Sequence, residues 1–347
     1  MLRLYVAMET ELLIVSRRGD GWQTDVQLSG LHAQCLAADP LHPQTVYCGT
    51  FGEGLWLSHD GGGSWSPASE GIDLKQVTAV AAGSRLGENG HGVAWAGTEP
   101  SSLFRSDDGG KTWRMQPALL TMPSKPTWSF PPRPYTHHVR WIEPDQAVPE
   151  RLFVCIEAGA VLRTLDGGQT LEDRRPDAPI DAHTLRTHRL APGWLYAAAG
   201  DGYGSPGQGY AYSYDSGDTW HRFGEGLRHH YLWSLAVDPQ NPTLVLVSAA
   251  RSPDAAHNLA RAESTLYRRL GNGPWEEVRS GLPDPQGTLS AVLAANEAEL
   301  GVFYAASNRG LYRSADTGLT WEQLDIPWPE RYQRSHPAAL LVTGEPS

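Results

Sequence analysis

The chain has 347 residues, 40% of them apolar, which is enough for a large core, and its 13 Trp, 37 Gly and 26 Pro favour turns and short strands over helices. A formal charge of −11 with no Lys/Arg run argues against a nucleic-acid or other phosphate-binding surface. Met1 to Glu9 lacks the charged region, long apolar stretch and cleavage site of a signal peptide. No apolar run approaches the roughly 20 residues of a membrane helix. Cys35, Cys48 and Cys155 lie in apolar, strand-like runs without metal or disulfide spacing. The expectation is buried free thiols in a reducing, cytoplasmic setting, with a Cys35–Cys48 bridge across neighbouring strands as the alternative.

In chain order, residues 1–30 carry three strands. The next unit shows the pattern that then repeats. An apolar strand, Cys35 to Ala38, runs into Asp39-Pro40. A second spans Thr45 to Thr50, and a third, Gly54 to Ser58, enters the turn Ser58-His59-Asp60-Gly61-Gly62-Gly63-Ser64-Trp65. A polar fourth strand leaves it. The turn follows the pattern Ser/Thr, any, Asp, any, Gly, any, Ser/Thr, aromatic. It returns at Ser106 to Trp113, Thr164 to Leu171 (with Leu in place of Trp), Ser213 to Trp220 and Ser314 to Trp321. Degenerate copies, Ser16 to Trp22 and Arg268 to Trp275, keep Gly and Trp but lose the Asp spacing. In such a turn the Asp carboxylate accepts backbone N–H groups, the Gly takes positive φ and the Trp covers the turn.

Four strands per unit of roughly 50 residues is a propeller blade. The units fall at 31–74, 75–135, 136–180, 181–228, 229–285 and 286–335. Residues 1–30 lack an innermost strand, and Ala338 to Val342 supply one. The expected fold is therefore an all-β, seven-bladed propeller over 1–347 as one domain. Blade one is formed by 1–30 plus 336–343, which removes an exposed sheet edge.

The turn motif resembles the Asp-box, or BNR, repeat of sialidase-like propellers. The resemblance implies the fold and assigns the Asp of each box a structural role. Sialidases of that superfamily use three arginines, a Tyr–Glu pair and an Asp acid, usually on six blades. Their N-terminal Arg-Ile-Pro motif is absent here, where Arg3 and Arg17 lack that context. Related endoglucanases work in a cleft between two propellers, whereas this chain holds one. Similar seven-bladed proteins assist photosystem assembly as scaffolds, so the fold alone does not imply catalysis.

The box turns lie on one face. The entries into each first strand and the turns between second and third strands lie on the opposite, working face. The long insertions fall there: Pro117 to Thr136, which contains Trp128 and Tyr135; Asp201 to Gly209, which contains Tyr203; Arg251 to Ser264; and the segment containing Trp328. Loops on a rigid scaffold commonly carry function, so Trp128, Tyr135, Arg251 and Trp328 are candidate substrate contacts.

Histidines recur where first strands begin: His32, His137 and His138, His183, His229 and His230, and His336. Acidic and polar residues recur where second strands end, among them Glu9, Glu53, Glu99, Glu157 and Asp201. Imidazoles with carboxylates at one axial level are ligands expected for a divalent transition metal such as Zn, Fe or Mn. The candidate ligands are His32, His137, His138, His183, His230, His336 and Glu99. Which of His137 and His138, and which of His229 and His230, faces the axis is open, because a one-residue register change reverses the side chain. Glu157, Asp201, Arg140, Arg186 and Tyr203 are candidate catalytic groups. His42, His59, His91, His188, His221 and His257 read as loop or outer-strand residues.

Phosphate-loop, Cys-x-x-Cys and His-Glu-x-x-His motifs are absent, and Gly200 to Gly204 sits in a hairpin turn unsuited to a nucleotide. The leading expectation is a metal-binding propeller, a metal-dependent enzyme acting on a small-molecule or sugar-like ligand. The alternatives are a glycan-active hydrolase or lyase using His with Glu/Asp, and a non-catalytic interaction scaffold.

Overall fold

The computed structural model describes residues 1–344. Seven antiparallel sheets follow one another along the chain, six with four strands and one with three. The innermost strands are Ala33–Ala38, Val77–Leu86, Val139–Pro144, Ala182–Thr187, Tyr231–Asp238, Val292–Ala295 and Ala339–Thr343. Each lies against the innermost strand of the next blade, and Ala339–Thr343 lies between those of blades seven and two. The ring is thus closed around a central channel.

Closure takes the expected form. Ala339–Thr343 pairs antiparallel with Arg3–Ala7 in the register Ala7↔Ala339, Tyr5↔Leu341, Arg3↔Thr343. The strand starts one residue later than Ala338, whose N–H still bonds the Ala7 carbonyl at 2.8 Å. Leu4, Val6 and Leu340 then pack with Val292 and Tyr304 of blade seven, so closure buries apolar area as well as pairing an edge.

The box turns show how short polar segments hold blade corners. Ser58 Oγ donates to Asp60 Oδ1 at 2.8 Å and accepts from Gly62 N at 2.7 Å. Asp60 also accepts from Ser64 N at 2.9 Å and Ser64 Oγ at 2.7 Å. Partial burial opposes its charge, but these donors outweigh burial and hold the carboxyl down to about 2, as they do for Asp166, Asp215 and Asp316. Gly62 has φ +91, and a Cβ there would lie 2.5 Å from Ile14 Cδ1, so the position needs glycine.

Blade four departs from the pattern. Its outer strand is reduced to a bridge between Arg163 and Glu172. In the boxes of blades two, three and seven the Trp indole donates to the turn carbonyl, as Trp113 Nε1 does to Gly110 at 3.2 Å. Leu171 has no such donor. The three cysteines are buried and unbridged, and burial pushes Cys35 up to about 12.

Candidate functional site

Because first strands begin on the working face, their leading residues ring the mouth of the channel. A cavity of about 750 Å³ opens there, lined among others by Glu9, His32, Glu99, Arg133, His138, Arg140, Glu157, Asp181, Tyr231, Trp233, His257 and His336. Two insertions contribute to its wall. Phe130 and Arg133 form a small bridge within one, and the short helix Pro253–His257 brings His257 in from the other. Its cap is local: Ser252 Oγ accepts from Ala255 N at 3.1 Å.

His138 sits between two carboxylates. Its Nε2 lies 2.9 Å from Glu157 Oε2 and its Nδ1 3.7 Å from Glu99 Oε2. Arg133 holds Glu99 with both oxygens engaged, at 2.9 and 2.7 Å. Arg140 Nε approaches Glu157 Oε2 at 3.5 Å. Glu157 is buried, which works against its charge. The hydrogen bond and charge of His138, with His183 and Arg140 nearby, nevertheless hold it below the ordinary carboxylate range.

Beside Glu157 stands a second carboxylate–imidazole pair. Asp181 Oδ1 accepts from Ala158 N at 2.9 Å, while Oδ2 lies 3.6 Å from His183 Nε2. His183 is fully buried, and its Nδ1 bonds the Leu232 carbonyl at 2.7 Å. That bond keeps a proton on Nδ1 and turns Nε2 toward Asp181; burial works against a charged ring, but the Asp181 carboxylate outweighs it and shifts the His183 pKa upward. Asp201 accepts the Ile180 and Asp181 amides at 3.1 and 2.9 Å, which fixes the segment carrying Asp181. Donor atoms of Glu157, Asp181 and His183 all lie within 4.8 Å of one another. Two ligands of a tetrahedral ion at about 2.1 Å stand roughly 3.4 Å apart, so the 3.6 Å Asp181–His183 separation matches one edge of such a site.

Several buried polar atoms at this mouth lack a partner among the described residues: His138 Nδ1, Arg140 Nε, Trp233 Nε1 and His336 Nε2. Native interiors rarely leave such atoms unsatisfied. Burial, followed by the Arg140 charge, pushes His336 down to about 4. Tyr231 Oη lies 3.1 Å from His257 Nε2 and 3.4 Å from His183 Nε2.

The structure therefore brings together His32, His138, His183, His336, Glu99, Glu157 and Arg140 around the mouth, with His183 in the wall behind Asp181. It places His137 on the other side of its strand, 5.5 Å from Trp128 by ring centroids, and Trp128 is buried and bonds Ser124. Alternation across the strand start explains why one of the two adjacent histidines turns inward. His230 stays out of the cavity lining. Asp201 supports Asp181 from behind. Arg186 lies at the box end of the channel, where it stacks on Trp141. Tyr203 and Tyr135 are 60% and 86% exposed. Arg251 is exposed and pairs with Glu263 at 3.2 Å. Trp328 packs edge-on against Tyr332 and bonds the Asn308 carbonyl.

The cavity also holds groups that sequence reasoning passed over: Asp181, Tyr231, Trp233, Arg133 and His257. The register gave a signal for Asp181, two residues before His183. His257 reads as a loop residue until its loop is seen to fold over the axis.

Residues 104–115 match the family described as BNR/Asp-box repeat. No curated protein matches the sequence. Among solved structures, the chain is similar to the GH74 enzyme of Niastella koreensis, with a TM-score of 0.64 and 16% identity over 92% of this chain and 53% of that one. YCF48 bound to D1 peptide is similar at TM-score 0.57 and 18% identity, over 86% of this chain and 84% of that one. A chain of the nidogen/laminin complex is similar at TM-score 0.55 and 10% identity, over 99% and 98%. This chain thus spans about half of the GH74 structure, and at these identities the likeness is one of fold. Together with the seven sheets, it shows the chain to be a seven-bladed β-propeller, and the matched box marks it as one that carries the Asp-box (BNR) repeat.

Proposed function

We propose that the axial cavity is a small-molecule site holding a divalent transition metal (Zn, Fe or Mn) on Glu157, Asp181 and His183, and that the chain is a metal-dependent enzyme. The observation that carries this reading is the 3.6 Å Asp181–His183 separation, with His183 Nδ1 tied to Leu232. A backbone carbonyl on the far nitrogen is the usual outer-shell partner of a metal-binding imidazole. A bound metal supplies Lewis acidity or a water of lowered pKa.

The remaining work falls to the chain itself. His138, between Glu99 and Glu157, is placed to hold or hand over a proton at Nε2. Phe130 packs edge-on against its ring at 4.8 Å and shields one side from water. The ligand is a small polar or sugar-like molecule, since the walls combine aromatic faces with several carboxylates. The −11 charge speaks against nucleic acid. The unbridged thiols support a reducing compartment such as the cytoplasm. Elemental analysis after exposure to Zn, Fe and Mn tests the metal: about one ion per chain is expected, and protein that stays metal-free overturns the reading.

A second reading, elimination from a sugar-like ligand, is favoured by Tyr231 standing within reach of both His183 and His257. The likeness to a GH74 enzyme is compatible with glycan chemistry but lies in the fold. A scaffold reading, suggested by YCF48 with its D1 peptide, fits a concave mouth with unpaired polar atoms less well than a small ligand does.

A further inference from the structure

We infer that the floor of the axial cavity is an anchor for a ligand carboxylate, with Arg140 as its receptor. This rests on the reading of the cavity as a small-molecule site, but not on the metal.

Arg140 projects from the strand Val139–Pro144 and is 8% exposed. It lines both the axial cavity and a second chamber of about 370 Å³ at the box end of the channel, so it stands at the waist between them. Its Cζ lies 4.4 Å from the Trp233 ring centroid. Nε comes within 3.5 Å of Glu157 without hydrogen-bond geometry and is left unpaired. Among the described residues, no nitrogen of this guanidinium donates a hydrogen bond. A guanidinium has five N–H donors and cannot shed its charge. One held this deep without acceptors is costly unless something else supplies them.

Two further unpaired polar atoms lie at this waist, one a donor (the indole N–H) and one the bare nitrogen of a neutral imidazole. Trp233 Nε1 and His336 Nε2 are buried and unpaired, and their rings lie 5.5 Å apart edge to face. The three groups come from blades four, six and one and converge at the axis. The guanidinium fork and the indole N–H suit a planar oxyanion, and bidentate arginine recognition is the tightest fit for one.

Charge selects the kind of oxyanion. Glu9, Glu99, Glu157 and Asp181 all line the cavity. Of its arginines, Arg133 is taken by Glu99 and Arg334 by Glu330. Arg140 is left as the arginine with a free fork. One uncommitted cation among four carboxylates accommodates a monoanion better than a phosphate dianion. Phe51, Phe130 and Trp233 offer apolar faces to the body of such a ligand.

The test uses calorimetric titration with acetate, benzoate and D-glucuronate, the methyl ester of each, and inorganic phosphate. Each is offered to chelator-treated and to metal-loaded protein. At least one acid is expected to bind, with its ester tenfold or more weaker and phosphate weaker than the acid. Arg140→Gln should weaken the acid tenfold or more. Arg140→Lys, which keeps the charge but loses the fork, should fall between and covers the case of a misfolded glutamine variant. The inference is overturned if no acid binds, if acid and ester bind alike, if phosphate binds more tightly, or if folded variants bind as wild type does. Acid binding to protein that never takes up metal would sink the metal reading and leave the anchor standing. Metal uptake without acid binding would do the reverse.

Discussion

Arg105 of blade three donates from Nη1 to the Gly167 carbonyl in the box turn of blade four at 2.7 Å. The contact recurs around the ring: Arg163 reaches Ser216 at 2.8 Å, Arg268 reaches Thr317 at 2.8 Å and Arg3 reaches Gly61 at 2.7 Å. Each box turn so contacted is stapled to the preceding blade by a charge-assisted bond to a carbonyl that would otherwise face outward. Replacing Arg163 by Met should therefore destabilise the fold by about 1–2 kcal/mol, read as a lower denaturation midpoint with unchanged slope. An unchanged midpoint would mean that apolar packing between blades suffices without the staple.

The box aspartates give the fold a dependence on acid pH. The Asp166 carboxyl is held down to about 2 in the folded chain, against about 3.9 unfolded. Its contribution is complete above about pH 4 and is lost as pH falls through 2. Asp166→Asn should be less stable than wild type at pH 7, and the two stability curves should converge toward pH 2. Parallel curves over that range would contradict this assignment.

His336 acts over a different window. Burial and the Arg140 charge hold it at about 4 when folded, below about 6.5 when unfolded. Between pH 6.5 and 4 the unfolded chain takes up a proton that the folded chain refuses, so stability declines as pH falls. Trp233 and His257 are its aromatic neighbours. His336→Asn should flatten that part of the unfolding profile, and an unaltered slope would show that other groups govern it.

The Gly200 backbone packs against the proposed metal group. A Cβ at this position would lie 2.0 Å from Asp181 Oδ2 and 3.0 Å from His183 Cε1. Gly200→Ala should displace the carboxylate, with metal affinity expected to fall about tenfold or more, in the range seen for outer-shell changes. Equilibrium dialysis against Zn, with circular dichroism to confirm the fold, measures this. Wild-type affinity in a folded variant would place the metal elsewhere.

The fold was legible because its signals are local. Ser58, Asp60, Gly62 and Ser64 specify a turn within eight residues, and five such turns mark blades two to five and blade seven. Closure was readable from the missing innermost strand and the spare one at Ala339–Thr343. The site was legible only in part. His138, Glu157 and Arg140 follow from their places at strand ends. His137 and His138 could not be separated, because one residue of register decides which face a side chain takes. Tyr135 and Tyr203 drew notice as aromatic loop residues yet lie in the open. His257 and Arg133 reach the axis through the folding of irregular loops, which carries no periodic signal. Asp181 gains its role from the Asp201 carboxylate and the Gly200 backbone behind it, a relation between separate turns that no single motif records.

The most direct test is an anomalous-difference map from crystals soaked in Zn, recorded above and below the metal edge. The account predicts a peak about 2.0–2.2 Å from His183 Nε2 and from oxygens of Asp181 and Glu157. Crystals that show no peak there, or that place the metal only at sites outside the axial cavity, would contradict it.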